Sequence, residues 1–540
     1  MTEPKPGFLA TIKSYPATFW VANTMEIFER MAWYGWFTVM ALYVTGSVET
    51  GGLGFSTETR GMLQAVVPCI LYLLPVVTGA LADRYGFRRT FIVAYVMMIA
   101  AYYLLGQFHS LPAFFMAFLF VALAAATFKP VVVGTVAKVT NETNSATGFG
   151  IFYMMVNVGG FVGPIVAGVV RGWGWENVFL ACSAWAAVNL LIAVFLYKEP
   201  KVEGLAKDKR TLKKVGDDLV EVLGNVRFFI TTGTVIVGLM VASALSSMGV
   251  SWFSWKWCGI ILTGWVVLNV LYDRILPVDS GRPQEAGHSK AYFLAQRMHC
   301  GNWRFAVFLL IMSGFWTSFN QIFYTMPEYI RDFTDTRPMI AMAESIFGES
   351  DSTDPNAGIA SVVATINESE RGVIVRSIGN LNEVLASDGA PSRALLKCLS
   401  EERVDEFINL AAEQVRQAYD QELPEVADGE SVIASARSRR IDRLPDAHVA
   451  AIFAVAKPAT DADPDHPWVD EALRETAHHL IGTKVRVTPA RLEEIVLAHS
   501  DDVEAATNQI MIECRQVNPE FIVNIDALAI IIFQVFISFL

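Results

Sequence analysis

Charge is scarce in this chain of 540 residues: Asp, Glu, Lys and Arg supply only 18%, against 53% hydrophobic residues. The mean hydropathy of +0.38 lies outside the range of soluble domains, and several apolar runs predict a multi-span membrane protein. Basic tracts interleaved with aromatics are lacking and the net charge is −12, so nucleic acid is not an expected partner. Cysteine is sparse and scattered, at Cys69, Cys182, Cys258, Cys300, Cys398 and Cys514, with no CxxC and no metal-ligand spacing. His448, His466, His478, His479 and His499 form no HExxH, and the adjacent His478 and His479 project from different faces of a helix. No metal, no organic cofactor and no enzymatic activity are therefore expected. A cleavable signal is not expected either. The first hydrophobic segment is too long, carries charge, and lacks a small-residue cleavage site, so it should remain as the first span.

Charge does occur where it is most costly. Residues 25–35, MEIFERMAWYG, lie inside an apolar run over about 17–45. A helix needs about 20 residues to cross a bilayer, which puts Glu26, Glu29 and Arg30 at membrane depth. A charge there costs at least about 2.5–3.5 kcal/mol unless it meets a partner or a polar cavity. At 100° per residue, Glu26, Glu29, Arg30, Trp33 and Tyr34 share one face of the helix. The face reads as a binding surface; the alternative is a salt bridge within the helix that only neutralises itself.

Five further spans are predicted, at about 58–81, 90–107, 111–138, 148–170 and 175–197. Lys and Arg cluster between the second and third (GALADRYGFRRT, residues 79–90) and again over 197–214 after the sixth. By the positive-inside rule both loops, and hence the N-terminus, are cytoplasmic. Two more runs, about 228–250 and 252–276, make a transmembrane hairpin. A polar segment, 277–302, contains Arg282, Lys290 and Arg297, and another span follows at about 303–330. Residues 334–517 then lack any spanning segment. They are acidic and rich in Ala and Ser, with helical periodicity in 392–419 and 489–514 and loops at DSTDP and DADPDHP. Parity places this insert outside the cytoplasm. Residues 518–540 are apolar and begin a further span. The expected division is thus a six-helix bundle (1–198), a linker with the hairpin (199–302), one helix of a second bundle (303–333), the soluble insert (334–517) and the start of another transmembrane helix (518–540).

Four motifs resemble those of the proton-dependent oligopeptide transporters of the major facilitator superfamily. They are ExxERxxxY (Glu26, Glu29, Arg30, Tyr34); Lys129-Pro130 after the small residues Ala124–Ala126; FYMMVNVGGFVGP, residues 152–164; and the charged loop with Asp83, Arg84, Gly86, Arg88 and Arg89. The hairpin also resembles the additional helix pair between the halves of many bacterial members. The resemblance covers 17–335 and plausibly 518–540, but not the insert. It implies an all-α facilitator fold with a partial second bundle, working by alternating access as a proton-coupled symporter of di- or tripeptides or similar zwitterions in the cell membrane. It implies proton coupling at Glu26, Glu29 and Lys129, substrate binding at Arg30, Tyr34, Tyr72, Asn157, Trp316 and Asn320, and a cytoplasmic gate at Asp83, Arg84, Arg88 and Arg89.

The chain departs from that family in three places. Asn320 stands where the family commonly has an acid that pairs with the lysine of the fourth span, so Lys129 needs another counter-ion, with Glu26 or Glu29 nearest. Phe37 stands where a second arginine is common. The helices that would complete the second bundle are absent, which predicts a fragment or a split gene product. Glu328 and Asp526 are acids near or in later spans, and Asp526 is a candidate replacement for the missing acid. Two other functions remain open at this stage: a facilitator for a different organic ion, and a membrane sensor that uses the insert.

Overall fold

The computed structural model describes residues 8–200, 224–247, 250, 252–277, 293–299, 303–347, 365–423 and 436–537. Most of the basic stretch after the sixth span, most of the polar segment 277–302 and the DSTDP loop lie outside these residues. The fold is helical, and seven described helices are long and apolar enough to cross a membrane by length and composition. The first helix, Ala17–Thr45, carries three charges and falls outside that set.

The second span is two helices, Thr57–Leu73 and Pro75–Tyr85, rather than one. Pro75 has no N–H to continue the ladder, and its ring crowds the carbonyl one turn earlier, so the axis breaks at Leu74. The span expected over 303–330 breaks in the same way. Trp303–Tyr324 ends at Thr325, and Met326–Phe333 starts afresh with Pro327 in its first turn. Phe87–Gln107, Leu111–Val139, Ser145–Arg171 and Trp175–Phe195 complete the first bundle. Its core is aromatic. Trp36 is fully buried, with ring centres 5.0 Å from Phe179, 6.0 Å from Tyr43 and 6.1 Å from Phe118.

The hairpin Val226–Ser247 and Trp255–Asp273 is apolar, yet the second of its helices buries no residue against protein. An apolar helix left bare in this way suits lipid rather than water. At its open end Arg227, itself buried, pairs with Asp273.

The insert folds around two small helical cores. One gathers Ile374, Leu381, Leu395, Leu480, Leu492 and Ile510; the other gathers Leu396, Phe407, Tyr419, Ile441 and Ile452. The periodicity over 392–419 is divided among three short helices, Arg393–Cys398, Glu401–Leu410 and Glu413–Asp420, because a straight rod could not wrap both cores. The stretch 489–514 likewise forms two, Pro489–Ala498 and Val503–Cys514. Helix Glu368–Ala386 starts on a capping box, in which Asn367 and Glu370 each satisfy the other's backbone N–H.

Glu370 also meets Lys484, at 3.0 Å, with both side chains 7% exposed. Burial pushes the Lys484 amine below its ordinary value of 10.5, and Glu370 pushes it back up. The unfolded chain therefore holds that proton more tightly than the folded one, and stability rises with pH up to about 10.5. Glu370→Gln keeps the cap but takes the Glu370 charge from the ammonium, which keeps only its bond to the Thr365 carbonyl and an amide oxygen, at a cost of about 3–5 kcal/mol. Thermal unfolding should show a large deficit near neutral pH that narrows as the solution becomes alkaline; a deficit independent of pH would exclude this origin.

Candidate functional site

Glu26 and Glu29 are buried in the middle of the first helix. Arg30 grips Glu29 by a two-point fork, Nε to Oε2 at 2.5 Å and Nη2 to Oε1 at 2.7 Å. Its Nε also lies 3.4 Å from Glu26 Oε1. Lys129, from the fourth-span helix, donates to that same Glu26 oxygen. Glu26 is thus the counter-ion that Lys129 takes in place of the missing acid, Asn320 being the residue there. Two acids and two bases make one network across two helices, balanced in formal charge, and this pairing offsets the penalty of burying each. One point is left open: Glu26 Oε2 is buried without a hydrogen-bond partner. Both cations also lie near aromatic faces, Arg30 at 5.7 Å from the Tyr34 ring centre and Lys129 at 5.3 Å from that of Phe152.

Glycine brings the fifth-span helix against this network. A Cβ at Gly159 would lie 2.5 Å from the Ile27 carbonyl oxygen and 2.6 Å from Arg30 Cβ; one at Gly163 would lie 2.6 Å from the Met31 oxygen. The two helices meet backbone to backbone, which only glycine permits. Asn157 precedes both glycines on the same helix, its amide donating to the Tyr153 carbonyl at 2.8 Å. It lines a small cavity of about 30 Å3 with Tyr34, Thr38, Phe319, Phe323 and Asp526. Asp526 therefore shares a cavity with Tyr34 and Asn157. It lies on Ile525–Ile537, which packs beside the fifth-span helix, and the preceding Asn524 donates to the Phe161 carbonyl.

Trp316 and Asn320 are not brought to this cavity. Their helix meets the first through Phe319 and Phe323, with Phe323 and Tyr34 ring centres 5.4 Å apart, while Trp316 is 49% exposed. Tyr72 is 71% exposed and does not line the cavity either. In the charged loop, Asp83 pairs with Lys138 at 3.7 Å and Arg88 donates to the Val194 carbonyl. Arg84 lies 5.6 Å from the ring centre of its neighbour Tyr85, and Arg89 is exposed.

The opposite end of the bundle holds a charge cluster that sequence reasoning missed. Arg60 Nη2 lies 2.9 Å from Glu328 Oε2, and Arg60 also donates to the Tyr324 carbonyl and to Gln64 Oε1, both at 2.6 Å. Thr45 donates to Glu328 Oε1 at 3.0 Å and accepts from Arg331 at 3.2 Å. Buried Arg171 nearby reaches Glu520 and Asn518, each at 3.4 Å. The available signal was Arg60 itself, a lone arginine within an apolar run.

Residues 25–236 match the Major Facilitator Superfamily profile. The match takes in the first bundle and ends within the helix Val226–Ser247. The uncharacterized transporter YclF of Bacillus subtilis is 27% identical over 209 residues, 38% of this chain and 41% of that protein. The peptide transporter YePEPT of Yersinia enterocolitica is 27% identical over 180 residues, 32% of this chain and 34% of that protein. The chain thus matches well under two thirds of the length of these relatives. A solved POT family transporter in complex with a thioalcohol-conjugated peptide aligns over 98% of this chain and 99% of its own, at 17% identity and a TM-score of 0.40. The four motifs singled out in the sequence all lie within the matched residues.

Proposed function

We propose that the protein is a proton-coupled symporter of di- or tripeptides or similar small zwitterions, working by alternating access. The observation that carries this reading is the buried network of Glu26, Glu29, Arg30 and Lys129, open at Glu26 Oε2 and adjoining the cavity at Tyr34. Glu29 occupies the Arg30 fork, the geometry that a substrate carboxylate would take. A carboxylate that captures Arg30 strips Glu29 of its counter-ion and raises its affinity for a proton. By linkage, a proton on Glu29 frees Arg30 for the substrate to the same extent. No cofactor enters this scheme; protons are the coupling ion, and the coupling groups are Glu26, Glu29 and Lys129. Arg30, Tyr34 and Asn157 bind substrate. Asp83, Arg84, Arg88 and Arg89 gate the cytoplasmic side. The protein spans the cell membrane with its N-terminus in the cytoplasm and the insert outside, and the hairpin lies against lipid.

Uptake of a labelled dipeptide into cells or vesicles holding the full gene product, driven by an imposed proton gradient, tests the reading. Wild type should accumulate dipeptide against its gradient. Glu29→Gln should exchange dipeptide across the membrane but no longer concentrate it. Full accumulation by Glu29→Gln would refute the coupling role, and no uptake by wild type would refute the function.

A further inference from the structure

A cavity of about 440 Å3 lies where the insert meets the loop that follows the first helix, within the usual size range of small-molecule sites. Thr45, Ser47, Val48 and Glu49 form the loop side. The helices Glu368–Ala386, Arg393–Cys398, Ala436–Arg443 and Pro467–Ile481 form the other. A narrow extension of this space is lined by Arg376, Lys397, Arg437, His479 and Asn380, with Glu49 as the one acid among its described lining residues.

The donors in this extension outnumber their acceptors. Arg376 Nη1 and Nη2 are both buried with no hydrogen-bond partner, and so is Arg437 Nε. Arg437 spends its Nη2 on the carbonyls of Leu396 and Leu399, and Lys397 is matched by Asp442 at 2.5 Å. Glu49 only partly answers the rest. Its Oε2 stands 3.5 Å from Arg376 Nη2 and 3.8 Å from His479 Nε2, close enough for ionic attraction but beyond good hydrogen-bond length. The Glu49 backbone is held separately, its carbonyl accepting from Ser369 Oγ at 2.7 Å. That anchor is made by the backbone and not by the carboxylate.

We propose that this seam is a binding site for a small oxyanion, a carboxylate or a phosphate group, which takes the unfilled donors of Arg376 and Arg437 and displaces the Glu49 carboxylate. Planar guanidinium groups match such oxygens in pairs, and Asn380 and His479 can add neutral donors. The site is formed jointly by the insert and the end of the helix that carries Arg30, and it does not depend on what the facilitator domain transports.

The test is calorimetric titration of the purified full chain in detergent with sodium phosphate and, separately, with sodium acetate, at ionic strength matched by sodium chloride. Saturable binding of phosphate alone assigns a phosphate group, of acetate alone a carboxylate, and of both an unselective oxyanion site; each supports the proposal. Glu49→Gln removes the resident competitor and should tighten binding by about tenfold, the worth of one charged contact. Arg376→Gln should weaken it by about tenfold or more on the same basis. Arg376→Lys keeps the charge and the packing but loses the fork, and should also weaken binding, which guards against a folding defect in the glutamine variant. No saturable binding of either ion by wild type and by Glu49→Gln would overturn the site. Equal binding by wild type and both Arg376 variants would overturn it as well.

Discussion

Arg30→Met should abolish concentrative dipeptide uptake and, in the same protein, lower the melting temperature of the facilitator domain. The two losses share one cause. Glu29 is buried, with both carboxylate oxygens held by Arg30. Removing one partner of a buried ion pair leaves an uncompensated charge and costs about 3–5 kcal/mol. Glu26 suffers less, because Lys129 still holds its Oε1. The same substitution deletes the fork that the transport scheme assigns to a substrate carboxylate. Losing such a contact costs about 2–5 kcal/mol, or at least about 30-fold in uptake at low substrate. A second substitution separates the two effects. In Arg30→Met with Glu29→Gln the stranded charge is gone, so the melting temperature should return most of the way to wild type while uptake stays lost. If uptake returned with stability, Arg30 would be a structural counter-ion and nothing more. Lysine at position 30 should fall between, since it keeps the charge but not the two-point geometry.

How far this site could be read in advance depended on the kind of information each residue carries. Glu26, Glu29 and Arg30 stood out because charge inside an apolar run breaks a strong rule, and one-dimensional periodicity suffices to put them on one face. Lys129 stood out for the same reason, but periodicity cannot choose its partner. The reading left Glu26 and Glu29 open, and packing of the two helices selects Glu26. Trp316 and Asn320 show the opposite limit. Heptad-like spacing says that 316, 319, 320 and 323 lie near one another on their helix, but only its rotation against the first helix decides that Phe319 and Phe323 face Tyr34. The helix breaks at Leu74 and Thr325 were legible in principle from Pro75 and Pro327, yet a hydropathy run passes smoothly over both. In the insert, apolar spacing announced helices but not their ends, because a helix end there is set by which of two small cores each apolar residue joins. Arg60 was the least legible. It stands near the beginning of its run, where an arginine reads as an interface residue, and its partner Glu328 belongs to a distant span.

That distant pair supports the second large expectation. Arg60 and Glu328 are 10% and 12% exposed, and between them they join the first helix at Thr45, the second at Arg60 and the helix pair around Thr325. All three attachments lie at the end of the bundle nearest the insert, opposite the loop of Asp83 and Arg88. The structure therefore has that end fastened, and the proposed alternating access requires it to come undone. Arg60→Ala leaves Glu328 without its cation and removes the donor to the Tyr324 carbonyl, so the closed arrangement loses stability that the open one, where water can solvate both groups, does not. Truncation of a buried charged pair costs about 2–5 kcal/mol, part of which the protein recovers by relaxing, so a shift of about 10- to 100-fold toward the open state is expected. Thr38 reports it. Thr38 is fully buried beneath the cluster and lines the Tyr34 cavity. In a background without the native cysteines, Thr38→Cys should react with a membrane-impermeant maleimide from the insert side faster by that factor once Arg60 is alanine. Exchanging the charges, Arg60→Glu with Glu328→Arg, should slow labelling again, because the attraction is restored with its direction reversed. If labelling did not change in Arg60→Ala, the pair would be a static brace, and the closure at this end would have to be sought at Arg171 and Glu520 instead, where the contact is longer and wholly buried.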